Sequence, residues 1–117
     1  MKKINESLVI EKKSKFIGLL YQVDSVSEVD NIISSLASEH KKAKHICYAY
    51  KIGVLAKKSD DKEPSGSAGL PIMNVIERNN LDNTLIVVVR YFGGTLLGVG
   101  PLTRCYAKAS NLLVNHE

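Results

Sequence analysis

The residues best suited to chemistry gather around two glycine-rich stretches. Ser65-Gly66-Ser67-Ala68-Gly69 precedes Pro71, and Gly93-Gly94 leads through Gly98 and Gly100 to Pro101, so six of the eight glycines sit just ahead of two proline-marked helix starts. Glycine reaches positive φ without steric cost and lets a ligand approach the backbone closely, while a helix start offers unpaired amide donors and a partial positive charge. Gly66, Ser67, Gly69, Gly93, Gly94, Gly98 and Gly100 are therefore candidate anion-binding positions. The same glycines equally serve tight strand-to-helix turns and close helix packing, and the spacing alone does not separate the two roles. Neither stretch carries a nucleotide fingerprint: the Gly-Lys-Ser/Thr ending is missing, and Gly98-Val99-Gly100 lacks the third glycine of the dinucleotide pattern.

Charged and aromatic side chains border these stretches. Arg90 stands just before the second, Arg104 and Lys108 lie a helical turn apart just after it, and Lys57 and Lys58 extend the set. Spaced cations beside amide donors are what phosphate-backbone recognition requires. Tyr91 and Phe92 can stack on unpaired bases, or anchor the loop against the core. Asp60, Asp61 and Glu63 form an acidic cluster by the first stretch, an oxygen-rich set able to hold magnesium or to act in acid–base catalysis, or else a solvated loop capping helix amides. His45 and Cys47 share one face of a strand, half of a metal site with no second Cys/His pair nearby, so neither a metal nor another cofactor is expected. A Cys–His nucleophile would also need an orienting group and an oxyanion hole.

The elements that position these residues follow from periodicity. Ser7 to Glu11 and Phe16 to Val23 alternate as two strands around the basic turn Lys12-Lys13-Ser14-Lys15. Ser25 and Glu28 form a capping box for a helix ending near His40, with Val29, Ile32, Ile33 and Leu36 on its apolar face. Ile46 to Ile52 is a strand, Gly53 breaks it, Val54 to Ala56 returns, and Lys57 to Gly69 reads as loop. Pro71 opens a short helix that stops at Asn79-Asn80. Leu85 to Val89, an unbroken aliphatic run, suits a central strand or one covered on both faces. Pro101 opens a last helix with Leu102, Cys105, Tyr106, Ala109, Leu112 and Leu113 on one face.

A chain of 117 residues with 44% hydrophobic content supports one core, hence a single domain over residues 1–117. No window supplies the roughly 18 consecutive apolar residues of a membrane span, and the start lacks a signal-type apolar stretch, so no membrane association and a cytoplasmic location are expected. Two cysteines among apolar neighbours read as buried thiols in a reducing compartment. A net charge of +4 attracts polyanions without proving that one binds.

Three motifs resemble the Impact/YigZ family: His45-Ile46-Cys47-Tyr48-Ala49-Tyr50, the run Ser59-Asp60-Asp61-Lys62-Glu63-Pro64-Ser65-Gly66-Ser67-Ala68-Gly69-Leu70-Pro71, and Arg90-Tyr91-Phe92-Gly93-Gly94-Thr95-Leu96-Leu97-Gly98-Val99-Gly100. Ser14-Lys15-Phe16-Ile17-Gly18 and Leu102-Thr103-Arg104-Cys105-Tyr106 extend the likeness over nearly the whole chain. Lys62, Ser67, Pro101 and Cys105 depart from the family pattern, which usually has glycine, threonine, glycine and alanine there. The resemblance implies an α+β fold: a two-layer α/β sandwich of the ribosomal protein S5 domain 2-like type, with a mixed or antiparallel sheet and three helices. Bacterial relatives usually carry a further ferredoxin-like domain, so this sequence reads as a stand-alone Impact N-terminal-like domain.

The expectation for function is a non-enzymatic RNA- or ribosome-binding domain that regulates translation, with Arg90, Arg104, Lys108, Lys57 and Lys58 contacting phosphates. Two alternatives stand beside it. One is an enzyme acting on a small phosphorylated substrate through Asp60, Asp61 and Glu63 with His45; the other is a module for a translation-related protein partner.

Overall fold

The structure, a computed structural model, describes residues 2–114. In chain order the elements are β1 (Lys2–Glu11), β2 (Ser14–Gln22), α1 (Val26–Glu39), β3 (His45–Ile52), β4 (Leu55–Ser59), α2 (Gly69–Arg78), β5 (Thr84–Tyr91) and α3 (Val99–Asn111). The sheet runs β1-β2-β5-β3-β4, with every neighbouring pair antiparallel.

β5 is the central strand, as its aliphatic run predicts. Its alternation feeds both faces: Leu85, Val87 and Val89 meet Val29, Ile32 and Leu36 of α1, whereas Ile86 and Val88 meet Ile72, Val75 and Ile76 of α2 and Tyr106 and Ala109 of α3. The α+β class, antiparallel sheet and three helices are as expected. The α1 layer adds to the two-layer arrangement, because a strand that is apolar on both sides must be covered on both sides.

Local chemistry sets the element ends. Ser25 has extended backbone, its Oγ accepts from the Glu28 amide at 3.2 Å, and Glu28 Oε1 accepts from the Asp24 amide at 2.6 Å. These bonds satisfy orphan donors at the start of α1. α2 and α3 begin two residues earlier than their prolines suggest, at Gly69 and Val99, which puts Pro71 and Pro101 third in each helix. First-turn amides have no intrahelical acceptor, so proline is tolerated throughout that turn.

Three other boundaries differ from the sequence expectation. β1 starts at Lys2 instead of Ser7, because an edge strand needs few apolar residues to pair, and it shifts register between Lys3 and Asn5. β4 covers Leu55–Ser59 instead of Val54 to Ala56: Gly53 at φ 61° and the fully exposed Val54 make the turn, and Lys57 and Lys58 pair with Tyr50 and Ala49. Leu112 caps α3 with 45% of its surface exposed and is not part of the buried face. Among the described residues no helix is long and apolar enough to cross a membrane.

Candidate nucleic-acid interface and the polar centre beneath it

All three sequence motifs converge on one carboxylate. Glu63 is 7% exposed, and Arg90 Nη1 donates to both of its oxygens at 3.0 and 2.8 Å. The Tyr106 hydroxyl donates to Glu63 Oε2 at 2.5 Å, and His45 Nε2 lies 3.4 Å from Oε1. The His45 Nδ1–H is directed at the Asp61 carbonyl at 2.7 Å, which orients the ring. Arg90 Nη2 reaches Ser14 Oγ at 3.4 Å, and the guanidinium carbon lies 5.5 Å from the Phe16 ring centroid and 6.0 Å from that of Phe92. The carboxylate thus accepts three hydrogen bonds, two from Arg90 and one from Tyr106, which fix it in place between β5 and α3.

This arrangement corrects two sequence expectations. Arg90 does not share a groove with Arg104 and Lys108; it is 6% exposed and neutralises Glu63. An arginine at the end of an otherwise apolar strand needs a buried partner, and Glu63 supplies it. Nor do Asp60, Asp61 and Glu63 form an open acidic site with His45. Asp61 Oδ2 accepts from the Ile46 amide at 2.6 Å, and Asp60 accepts from the amides of Gly66, Ala68 and Gly69 at 3.0, 3.1 and 2.7 Å. Burial pushes the Asp60 carboxyl up, but those three amides outweigh it and hold the group below its usual range.

The first glycine stretch is thus an anion cradle that already holds an anion, the chain's own Asp60. Gly66 sits at φ 80°, a conformation that favours glycine. In the second stretch a Cβ on Gly93 would collide with the backbone of Lys13 and Ser14, so that glycine permits contact between the β1–β2 turn and the loop after β5. The Gly93 amide donates to Ser14 Oγ at 3.2 Å across the same contact. Gly94, Gly98 and Gly100 are exposed in this loop and at the start of α3.

Cys47 is fully buried, 3.4 Å from the Tyr106 hydroxyl and 3.2 Å from the Asp60 carbonyl. Burial raises its thiol well above the ordinary value, and Tyr106 is raised too, by burial first and then by Cys47 and Glu63. A thiol held protonated in this way packs as a small apolar side chain and is no nucleophile. No group of three possible metal-ligating side chains is found among the described residues.

The remaining predicted cations divide between the two edges of the sheet. Arg104 and Lys108 are exposed on α3 and line a groove of about 240 Å³ with Ile10, Glu11 and Pro101, beside β1. Lys57 and Lys58 lie on β4, the opposite edge.

Sequence reasoning did not anticipate how many other cations meet at one end of the sheet. The register pairs Glu11 with Ser14, Lys15 with Tyr91 and Arg90 with His45, so the β1–β2 turn, the end of β5 and the start of β3 are together. Lys13, Lys15, Ile17, Tyr91 and Phe92 line one hollow of about 460 Å³. Lys44, His45, Pro64, Phe92 and Leu97 line a second, of about 240 Å³, over the Glu63–Arg90 pair. Phe92 is 44% exposed and forms the wall common to both. Lys12, Lys13, Lys15 and Lys44 are exposed, and none forms an ion pair among the described residues.

The family model of the Impact N-terminal domain matches residues 12–114. The chain belongs to the Impact family. It is 40% identical to the IMPACT family member YvyE of Bacillus subtilis over 99% of its length and 55% of that protein's. Against the IMPACT family member YigZ of Escherichia coli it is 37% identical, covering 86% of the chain and 52% of the relative. Protein IMPACT of Homo sapiens is 31% identical over 91% of the chain and 35% of its own length. The chain therefore spans about half the length of the bacterial relatives it matches most fully. A crystal structure of a hypothetical protein superposes with a TM-score of 0.87 at 34% identity, covering 97% of this chain and 58% of that one. The two-domain translational regulator Yih1 shares the fold, with a TM-score of 0.55 at 21% identity over 92% of this chain and 46% of its own.

Within this Impact domain the motif residues chiefly build the fold. Glu63, Arg90, His45 and Asp60 join the loop after β4 to the ends of β3 and β5 and to α2, and Tyr106 ties in α3. The exposed lysines and Phe92 stand on the platform so formed.

Proposed function

We propose that the chain is a non-enzymatic, cytoplasmic RNA- or ribosome-binding domain that acts in regulating translation, and that the basic end of its sheet is the binding face. The observation that carries this is the hollow where Lys13 and Lys15 lie beside Tyr91 and Phe92. Cations that track a phosphate backbone next to aromatic faces on which bases stack are the combination by which single-strand binders work. Arg104 and Lys108 prolong the face along the β1 edge, next to Glu11. Membership of a family whose members include IMPACT proteins, and the fold shared with a translational regulator, favour the same direction.

The enzyme alternative is the less favoured reading, because Asp60, Asp61 and Glu63 each already accept internal hydrogen bonds. The test is co-sedimentation with ribosomes across a salt series, for the parent and for Lys13→Ala with Lys15→Ala. The parent should pellet at low salt and dissociate steeply as salt rises, and the variant should pellet less with a shallower salt slope, because each lost phosphate contact releases fewer counterions. A parent that stays in the supernatant at low salt overturns the proposal; equal pelleting by a folded variant removes these lysines from it.

A further inference from the structure

The two turns that project from the basic end hold lysine where the backbone favours glycine or asparagine. Lys12 and Lys13 are the whole connection between β1 and β2, at φ 47° and 70°. Positive φ at both central positions is what a two-residue hairpin turn of type I′ demands, and Asn-Gly or Asp-Gly is the pair that meets it readily. The loop after β4 repeats the geometry: Asp61 and Lys62 have φ 42° and 72°, closed by the Glu63 amide donating to the Asp60 carbonyl at 2.8 Å. Away from this end, the two other non-glycine residues at positive φ among the described residues are asparagines, Asn80 and Asn83. Where the fold merely needs a left-handed residue it has asparagine; at the basic end, of four such positions, it has lysine at three and aspartate at one.

Strain retained at an exposed tip points to what the side chain does there. Lys12, Lys13 and Lys62 are all exposed, and a tight two-residue turn holds its side chains far forward on a short, rigid support. Phe92 stands between the turns, its ring beside the hollow of Lys13 and Lys15 on one side and that of Lys44, His45 and Pro64 on the other. Two strand spacings, about 10 Å, separate β2 from β3 across β5.

We infer that Lys12 and Lys13 in one turn and Lys62 in the other grip the phosphates of single-stranded RNA at two points, with Phe92 stacking on an unpaired base between them. The inference rests on the RNA- or ribosome-binding proposal and specifies its contacts. An unpaired strand suits the site better than a duplex, because the exposed ring needs a free base face. A duplex keeps its bases stacked and would meet the lysines alone.

The test compares the full chain with two variants, Lys12→Asn/Lys13→Gly and Phe92→Ala. Binding to a short oligouridylate, to a duplex RNA of equal length and to polyglutamate is read by fluorescence anisotropy, with melting temperature measured alongside. The turn variant should melt about 5 °C higher, since the installed pair relieves the strain, yet lose about tenfold in oligouridylate affinity and about 1.4 in salt slope. Phe92→Ala should lose about tenfold for the single strand and little for the duplex.

A turn variant that gains stability and binds oligouridylate as the parent does overturns the assignment of Lys12 and Lys13. Preference for the duplex, or equal binding of polyglutamate without dependence on Phe92, overturns the single-strand reading. If the parent still pellets with ribosomes in those cases, only the contacts fail; if it binds neither RNA nor ribosomes, the underlying proposal fails with them.

Discussion

Replacing Glu63 by glutamine should reveal the charge stored beneath the basic end of the sheet. The substitution preserves shape and one carbonyl oxygen, but it leaves the Arg90 guanidinium without a counter-charge at a site where the side chains are 7% and 3% exposed. Solvent screening does little at that depth, and breaking one member of a buried pair costs about 3–5 kcal/mol. The Tyr106 hydroxyl also loses a charged acceptor at Oε2. Against a total stability of about 5–15 kcal/mol, that is a large fraction. With a urea m-value of about 2 kcal/mol per molar, the unfolding midpoint should fall by about 2 M.

A double-mutant cycle separates the pair from mere local damage. Arg90→Met removes the guanidinium, including the Nε–H that is buried without a partner, and keeps an apolar side chain against Phe16 and Phe92. In that background Glu63→Gln should cost much less than in the parent, because the charge it would strand is gone, and the difference is the coupling energy. Strict additivity of the two substitutions, or a cost below about 1 kcal/mol for Glu63→Gln alone, would refute the claim that this ion pair holds the β3, β5 and α3 ends together.

Two further outcomes follow from the surrounding geometry. Asp60→Asn keeps an oxygen for the Ala68 and Gly69 amides but sets an NH₂ against the Gly66 amide, and should cost about 1–2 kcal/mol at neutral pH. Because the folded carboxyl lies below its usual range, its stabilisation is complete above the unfolded value of about 3.9 and fades as pH falls through the folded value, so parent and variant melting temperatures should converge in acid; a constant gap contradicts the assignment. Gly93→Ala places a Cβ against the Lys13 and Ser14 backbone and should cost about 1–3 kcal/mol, read as a lower melting temperature; an unchanged one would mean that the turn and loop part freely.

What the sequence made legible was whatever periodicity encodes. The unbroken run Leu85 to Val89 placed the central strand, and the i, i+3, i+7 spacing of Val29, Ile32 and Leu36 placed α1, because burial repeats with the geometry of each element. Strand ends with polar residues were less legible: Lys2 and Lys3 pair at an edge where half the surface faces water, so nothing apolar marks them. The convergence on Glu63 was not legible at all. Its partners come from β3, β5 and α3, no period links them, and a glutamate between Lys62 and Pro64 looks like any solvated loop residue. One signal was present: Arg90 directly follows the five apolar residues Leu85 to Val89 of a central strand, where a cation calls for a counter-charge.

The turn lysines show the opposite failure. Their charge was evident and their strain was not, because propensity alone assigns Asn-Gly to such a turn and says nothing when Lys-Lys occupies it. Only the register, Glu11 opposite Ser14, shows that two residues reverse the chain, and their backbone angles show that both are left-handed. This changes which residues are sought for function. The longest motifs are committed to one another through Asp60, Glu63, Arg90 and Tyr106, so their density measures what the fold requires. Under the proposed function, the ligand is met by the exposed side chains of the basic end that form no ion pair among the described residues, Lys12, Lys13, Lys15 and Lys44, and by the half-exposed ring of Phe92.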